Sequence, residues 1–74
     1  MASIHGTRRP GDRVIFKRPG GQYDVLGVGQ NGEERVLRSA LPQLRAAFEI
    51  ARKGLKGGRL WYRDHAAPQV TEPY

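Results

Sequence analysis

The stretch SALPQLRAAFEIARK, from Ser39 to Lys53 and closed by Gly54, decides the fold. The Ser39 hydroxyl suits the N-cap of a helix, because it can accept a hydrogen bond from an otherwise unpaired backbone N–H. Pro42 suits the first turn, and Gly54 suits the left-handed position after the last one. The stretch predicts an amphipathic helix, since its apolar residues recur every three or four positions on one side: Leu41, Leu44, Ala47, Phe48, Ala51 and Leu55.

Segments typical of strands lie on both sides of this helix. Residues Arg13–Arg18 and Tyr23–Val28 are rich in β-branched and aromatic residues and flank a Pro-Gly-Gly-Gln turn. An Asn-Gly pair then predicts a type I′ turn into a third strand, Glu33–Arg38. After the helix, residues Arg59–Arg63 predict a fourth strand. We expect an α+β domain with a small antiparallel sheet of three to four strands and one helix on one face, in the order β-β-β-α-β.

The turns predict a register in which both sheet faces are apolar. With four residues in the first loop and two in the second, Ile15 lies opposite Leu26, and Leu26 opposite Leu37. One helix can cover only one face. Three interpretations follow: a register slip, packing of the second face against the tail or a second copy, or an exposed recognition surface. The two predicted faces are Ile15, Leu26, Val28 and Leu37, and Val14, Phe16, Tyr23, Val25 and Val36.

Length and composition predict one small domain with flanking segments. The chain has 74 residues and no cysteine, so disulfides and thiolate metal sites are excluded. The two histidines lack carboxylates at ligand spacing, and we expect neither a metal site nor a cofactor. We expect the domain to span 12–64, with a flexible basic arm at 1–11 and a proline-containing tail at 65–74, where Gln69–Thr71 is a candidate edge pairing. Arg8-Arg9-Pro10 is interpreted either as a minor-groove arm or as a frayed terminus.

Charge points to anionic partners. The net charge is +6, the pI is about 10.5, and 10 arginines stand against 3 lysines. Such a balance favours nucleic acid or an acidic protein as the partner. The alternative explanation is that a GC-rich genome encodes arginine in place of lysine and that these side chains are simply solvated. No apolar run approaches the ~18 residues of a membrane span, and the N-terminus lacks the apolar core of a signal peptide. We therefore expect a cytoplasmic protein with no membrane partner.

A basic patch with aromatic residues is the candidate site. On the helical wheel three cations fall within about 40° of one another, and strand Arg59–Arg63 adds two more. These cations would contact phosphate, and Tyr62 or Trp61 would stack on bases. The alternatives are ordinary surface ion pairs on the helix and a buried Trp61. The candidate nucleic-acid-binding residues are Arg45, Arg52, Lys56, Arg59, Tyr62 and Arg63.

Two families resemble parts of the chain. GGQYDVL, LRAAFEIARKGLKGG and RLWYRD resemble short bacterial β-β-(β)-α-β domains of unknown function, which implies a fold and no activity. The glycine turn of that pattern is missing after the WYRD strand. The strand order is also similar to arm-binding domains of tyrosine recombinases and related plant DNA-binding domains, which set an open sheet face into the major groove. That resemblance implies an open face carrying Arg18, Arg35 or Arg38, and the strand after the helix departs from it.

The sequence thus predicts a non-enzymatic binding module, DNA or RNA being its leading partner. The seven carboxylates form no plausible inward-facing dyad, and Ser39 has no neighbouring base, so neither an active site nor a small-molecule substrate is expected. The rival function is protein–protein interaction or regulation through the second apolar sheet face, with a homodimer as one form. If Val25 is exposed, Val25→Glu would disrupt the rival interface and spare nucleic-acid binding.

Overall fold

Residues 8–74 are described by a computed structural model of the α+β class, with one helix in that range packed on one face of a sheet. The class and the helix are confirmed. The sheet has five strands in the order β3-β2-β1-β4-β5, one more than the upper end of the prediction. The expected flexible arm lies, over residues 1–7, outside the described part. The elements are β1 Arg13–Lys17, β2 Tyr23–Val28, β3 Glu34–Leu41, α1 Leu44–Lys53, β4 Leu60–Asp64 and β5 Glu72–Pro73.

The sheet is mixed, so the purely antiparallel prediction was wrong. Strands β1, β2 and β3 pair antiparallel, but β4 pairs parallel to β1. The helix carries the chain back across the sheet from β3, so β4 runs in the direction of β3 and β1. The predicted tail returns as β5 and pairs antiparallel with β4, Pro73 opposite Trp61 and Glu72 opposite Tyr62. This pairing lies one residue beyond the segment expected to form it.

The helix begins four residues later than predicted, with its N-cap at Gln43 and not at Ser39, because proline restricts the residue before it. Leu41 precedes Pro42 and is biased away from the helical region, so β3 continues through Ser39 to Leu41. Ala40 has a φ of 58°, and its N–H donates to Asp24 Oδ1 at 3.0 Å. The N-cap is Gln43, whose side chain makes no cap hydrogen bond. The prediction of Ser39 as the N-cap was wrong.

The helix ends at Gly54, for a different reason than expected. Gly54 is right-handed, with φ −89° and ψ −3°. Its N–H donates to the Ala51 carbonyl at 3.2 Å, and the Leu55 N–H donates to the Arg52 carbonyl at 3.1 Å. A Cβ on Gly54 would lie 2.7 Å from Arg13 Nη2, which donates to the Gly54 carbonyl at 3.2 Å. A Cβ here would make the flexible end of the Arg13 side chain shift, so glycine favours this contact. This contact also joins the end of α1 to β1.

Both hairpin loops contain three residues, which changes the register. Arg18 N–H donates to the Gln22 carbonyl at 2.7 Å, so the first loop is one residue shorter than predicted. Gly29 N–H donates to the Glu33 carbonyl at 2.8 Å, so the second is one residue longer. Only Gly32 of the Asn-Gly pair has positive φ, 81°, which excludes the predicted type I′ turn. As a result Ile15 lies opposite Val25, and Leu26 opposite Val36.

The changed register moves apolar residues from one predicted face of the sheet to the other, but both faces remain apolar. The helix-covered face buries Ile15, Val25, Ala47 and Ala51 in one cluster. The opposite face buries a second cluster, formed by Val14, Leu26, Val28 and Trp61. Val25 is fully buried, so the proposed Val25→Glu variant would test folding and not binding.

Charged side chains close the opposite face. Arg63 on β4 donates two hydrogen bonds to Glu34 on β3, at 2.8 and 2.6 Å, although β2 and β1 lie between these strands. The sheet must therefore curl toward this face. Arg63 Nε also donates to Thr71 Oγ1 at 2.8 Å, and Arg8 Nε lies 2.9 Å from Glu34. The side chains on this face are thus joined to the tail and to the segment before β1.

Candidate nucleic-acid interface

A buried carboxylate organises one end of the sheet. Asp12 precedes β1, and only 5% of its surface is exposed. Its Oδ1 accepts from Arg59 N–H at 2.9 Å, and its Oδ2 accepts from Arg9 N–H at 3.0 Å and from Trp61 Nε1 at 2.9 Å. The carboxylate is therefore satisfied by three donors, one from the segment before β1 and two from the start of β4. It fixes the backbones of two arginines next to each other.

The environment of Asp12 keeps it ionised. Burial by itself would raise the pKa, but hydrogen bonds from the backbones of Arg59 and Arg9 and from the Trp61 indole outweigh burial. The positive charge of Arg59 adds to them, and the net effect is a lowered pKa. The Arg59 guanidinium lies 5.7 Å from the centre of the Trp61 ring. Asp12 is thus negative at neutral pH.

Two loops meet at this end of the sheet. The first contains Arg9 and leads into β1; the second follows α1 and contains Arg59. Arg13 N–H donates to the Arg59 carbonyl at 3.0 Å. A Cβ on Gly58 would lie only 2.5 Å from the Gly11 carbonyl oxygen, so the close approach of the loops requires glycine there. The backbone contacts therefore hold the two basic loops together.

The carboxylates of the domain are already engaged. Asp12 is bound as above, and five others contact backbone N–H groups or basic side chains of the chain itself: Asp24, Glu33, Glu34, Glu49 and Asp64. Glu72 also makes an interaction within the protein. Five arginines are paired with these acids: Arg8, Arg18, Arg35, Arg52 and Arg63. The remaining cations of residues 8–74 form no ion pair, although the charge of Arg59 acts on Asp12.

Most of the excess positive charge lies on the helix and the two loops. Among residues 8–74 eight basic side chains form no ion pair, and three of these, Arg13, Lys17 and Arg38, lie on strands. The other five are on α1 or on the loops that meet at Asp12. We call these five the basic surface: Arg9, Arg45, Lys53, Lys56 and Arg59.

The structure separates the predicted site residues into two groups. The helix and the following loop carry four of them on exposed positions: Arg45, Arg52, Lys56 and Arg59. Of these, Arg52 is paired with Glu49 at 3.2 Å. Arg63 lies on the opposite sheet face with Glu34, and Trp61 is buried there. Tyr62 is half-buried under the helix, where its ring meets Tyr74 at 6.2 Å between ring centres.

Sequence reasoning missed Arg9 as a member of the surface and Asp12 as its organiser. Asp12 stands between glycine and a strand, where an acid is usually exposed, and nothing local distinguishes it. The available signal is long-range: Trp61, the single tryptophan on β4, pairs with the acid that precedes the neighbouring strand β1. Recognising this pair requires knowledge of the strand order. Arg9 lies in the predicted arm, but its backbone is bound by Asp12.

The centre of the sheet face opposite the helix is apolar, and of the basic surface only the Arg59 guanidinium is seen to approach it, near the Trp61 ring. This centre is the buried apolar cluster of Val14 and Trp61, and Glu34 and Arg63 lie over it. Of the arginines expected there by the recombinase resemblance, Arg35 pairs opposite Gly27 and Arg38 opposite Val25, both on the helix-covered face. The surface available for a polyanion is therefore on the helix and the loops.

Comparison with protein-family models, with curated proteins and with solved structures finds no match to this chain. Within residues 8–74 no cluster of three or more His, Cys, Asp and Glu side chains is arranged to hold a metal ion. The described helix is neither long enough nor apolar enough to cross a membrane.

Proposed function

We propose that this protein is a nucleic-acid-binding module whose basic surface contacts phosphates. The observation that carries this proposal is the distribution of charge: the carboxylates are engaged inside the domain, and five exposed cations are unpaired on adjoining elements. Exposed Lys and Arg without acidic neighbours attract phosphate and release its counterions. Arginine adds bidentate contacts. The fixed loop backbones reduce the entropy lost when Arg9 and Arg59 bind.

The test is fluorescence anisotropy with labelled duplex DNA and single-stranded RNA at two salt concentrations. We expect tight binding at low salt and a steep loss at higher salt, with a log–log slope of about 0.7–0.9 for each phosphate contacted. Lys56→Glu and Arg45→Glu should each weaken binding to all sequences and lower that slope by about 1. Glu at position 45 lies in the first turn of the helix, where negative charge is favourable, so this variant should remain folded.

Arg38→Glu on β3 is the matched control. It changes the net charge by the same amount but lies outside the basic surface. An equal loss of affinity in Arg38→Glu and Lys56→Glu would show that net charge alone drives binding and would contradict the assigned surface. No binding of either nucleic acid at low salt would refute the proposal itself.

A second candidate function is supported by the edge strand β3. Among residues 8–74, β3 has one strand neighbour, and its exposed residues include Val36 and Leu37, at 56% and 44%. An exposed apolar edge can pair with an extended segment of another protein. An antiparallel second copy centred on these residues would place Arg35 opposite its Arg38, and like charges disfavour that pairing. The charge favours an acidic partner segment.

This alternative predicts different variants and a different readout. Val36→Glu should abolish capture of an acidic, extended partner and leave nucleic-acid affinity unchanged. Light scattering over a wide concentration range checks for the homodimer; a dimer that Val36→Glu dissociates would identify the partner as a second copy. A monomer that binds nucleic acid and is insensitive to Val36→Glu would exclude this function in favour of the first.

A further inference from the structure

An apolar groove with aromatic walls lies beside Arg45. Two adjoining hollows, of about 310 and 480 Å³, are lined by the N-terminal half of α1 and by the end of the chain. Leu44 and Tyr74 line both hollows. Tyr62, Glu72 and Pro73 complete the lining of the first, and Arg45 and Phe48 that of the second. The groove is shallow and open. Its walls match the flat face of an aromatic ligand better than they match an enclosed small molecule.

Tyr74 is held in this groove, and about half of the residue is exposed. Its backbone N–H donates to the Leu60 carbonyl at 2.9 Å, directly after the β4–β5 pairing. Its ring centre lies 5.4 Å from that of Phe48, at a 49° angle, and 6.2 Å from that of Tyr62, nearly edge-on. The residue is nevertheless 52% exposed. Neighbouring rings thus fix the Tyr74 ring, and solvent still reaches it.

Positive charge adjoins the aromatic groove. Arg45 lines one of the hollows and forms no ion pair among the described residues. The Arg52 guanidinium lies 6.0 Å from the centre of the Phe48 ring, although it is shared with Glu49. A nucleotide has an aromatic base next to an anionic phosphate. The groove has a ring, Tyr74, and a cation, Arg45, in the lining of one hollow, and these are the two kinds of group that bind a base and a phosphate.

We infer that the groove binds an unpaired base of single-stranded nucleic acid, which stacks on Tyr74 while Arg45 contacts the adjacent phosphate. This inference rests on the proposed function and specifies its substrate class. A single strand exposes the faces of its bases, whereas a duplex hides them in the helical stack, so only the single strand offers a base to Tyr74. Stacking tolerates any base, since every base has a π-face.

The test compares three labelled probes of equal length: oligothymidine, the same strand with abasic sites, and a duplex. Each is titrated against the wild type, Tyr74→Leu and Tyr74→Phe. Leucine keeps an apolar side chain but removes the ring, and phenylalanine keeps the ring. We expect Tyr74→Leu to weaken oligothymidine binding about 5- to 150-fold, the loss of one stacked base, and Tyr74→Phe to bind like the wild type. Binding of the abasic strand and the duplex should not respond to either change.

Proton NMR of the tyrosine ring signals gives a second readout on the wild type. Stacking should shift the Tyr74 ring protons upfield when oligothymidine is added and not when the abasic strand is added. Equal affinity for oligothymidine and the abasic strand, with no effect of Tyr74→Leu, would overturn this inference and leave phosphate binding by the basic surface intact. Failure of the wild type to bind any of the three probes at low salt would overturn the proposed function and this inference together.

Discussion

The two faces of the sheet are stabilised in different ways. On the helix-covered face, Ala47 and Ala51 are fully buried and let α1 pack directly on Ile15 and Val25. No ionised group is buried within that cluster. The opposite face has a cluster of similar size around Trp61, but no helix among residues 8–74 covers it. Ion pairs and a buried carboxylate close it.

This difference shows how a short chain can bury two apolar faces with one helix. Apolar packing is insensitive to pH and depends on the fit of side chains. Closure by charged groups depends on each partner being present, because an unpaired buried charge costs more free energy than the pair returns. The two faces should therefore respond differently to substitution and to pH.

Removal of Trp61 should have the largest effect on stability. Trp61→Ala deletes the largest buried side chain of the opposite face and leaves Asp12 without one of its donors. We expect a loss of about 3–5 kcal/mol in the free energy of unfolding, measured by urea denaturation with far-UV circular dichroism. Trp61→Phe keeps most of the ring and removes Nε1–H, so it should lose about 1–3 kcal/mol. If the two variants were equally stable, apolar volume would not be what Trp61 contributes.

Enlarging an alanine should disturb the helix-covered face. Ala51→Leu adds three carbons at a fully buried position, where the helix lies against the sheet. Overpacking of this kind costs about 1–3 kcal/mol, and the same denaturation curves would measure it. Arg45→Leu introduces the same residue at an exposed helical position and should change stability little. A neutral Ala51→Leu would indicate free space between the helix and the sheet.

The structural features that form and close the two faces differ in how far they could be predicted from the sequence. Apolar spacing identified the helix, the first three strands and the two apolar faces, since periodicity follows directly from local geometry. The helix start was misplaced because Pro42 acts on the residue before it and outweighs the capping preference of Ser39. Glu34 and Arg63 are 29 residues apart, and only the strand order and the curl of the sheet bring them together. The groove at Tyr74 depends in the same way on the return of the tail to β4.

Neutralising Glu34 should weaken the opposite face alone. Glu34→Gln leaves Arg63 half-buried without its carboxylate partner, and we expect a loss of about 1–3 kcal/mol by urea denaturation. Glu49→Gln is the matched control on the helix, where the exposed pair with Arg52 is worth at most about 1 kcal/mol. Equal effects of the two variants would mean that Glu34 and Arg63 behave as an ordinary surface pair.

The faces should also differ in pH dependence. On the opposite face, Arg63 and the donors to Asp12 lower the pKa values of Glu34 and Asp12 below 4.5 and 3.8, the ordinary values. These carboxylates stabilise the fold above those ordinary values, and their contribution is lost as pH falls through the lowered ones. On the helix-covered face, burial and then the charge of Asp64 raise the pKa of Tyr62 above 10.0. Its contribution is complete below 10.0 and is lost as pH rises toward the raised value.

Thermal melting between pH 3 and pH 11 would separate these contributions. Asp12→Asn and Glu34→Gln should flatten the acid limb of the stability curve and leave the alkaline limb unchanged. Tyr62→Phe should flatten the alkaline limb only. An acid limb that is unchanged in both carboxylate variants would contradict the assignment of the opposite face to charge closure.

The smallest expected effect is a gain at the start of the helix. Gln43 has the extended backbone of an N-cap, φ −133° and ψ 143°, but no side-chain cap hydrogen bond, and the first turn contains no acidic residue. Gln43→Asp would supply both a hydrogen-bond acceptor for a free backbone N–H and a negative charge at the positive end of the helix dipole. We expect a gain of about 0.5–1 kcal/mol in urea denaturation. Gln43→Asp acts on the helix-covered face alone. Glu34→Gln should therefore lower the free energy of unfolding by the same amount in the Gln43→Asp variant as in the wild type. A different amount would mean that the two faces are energetically coupled.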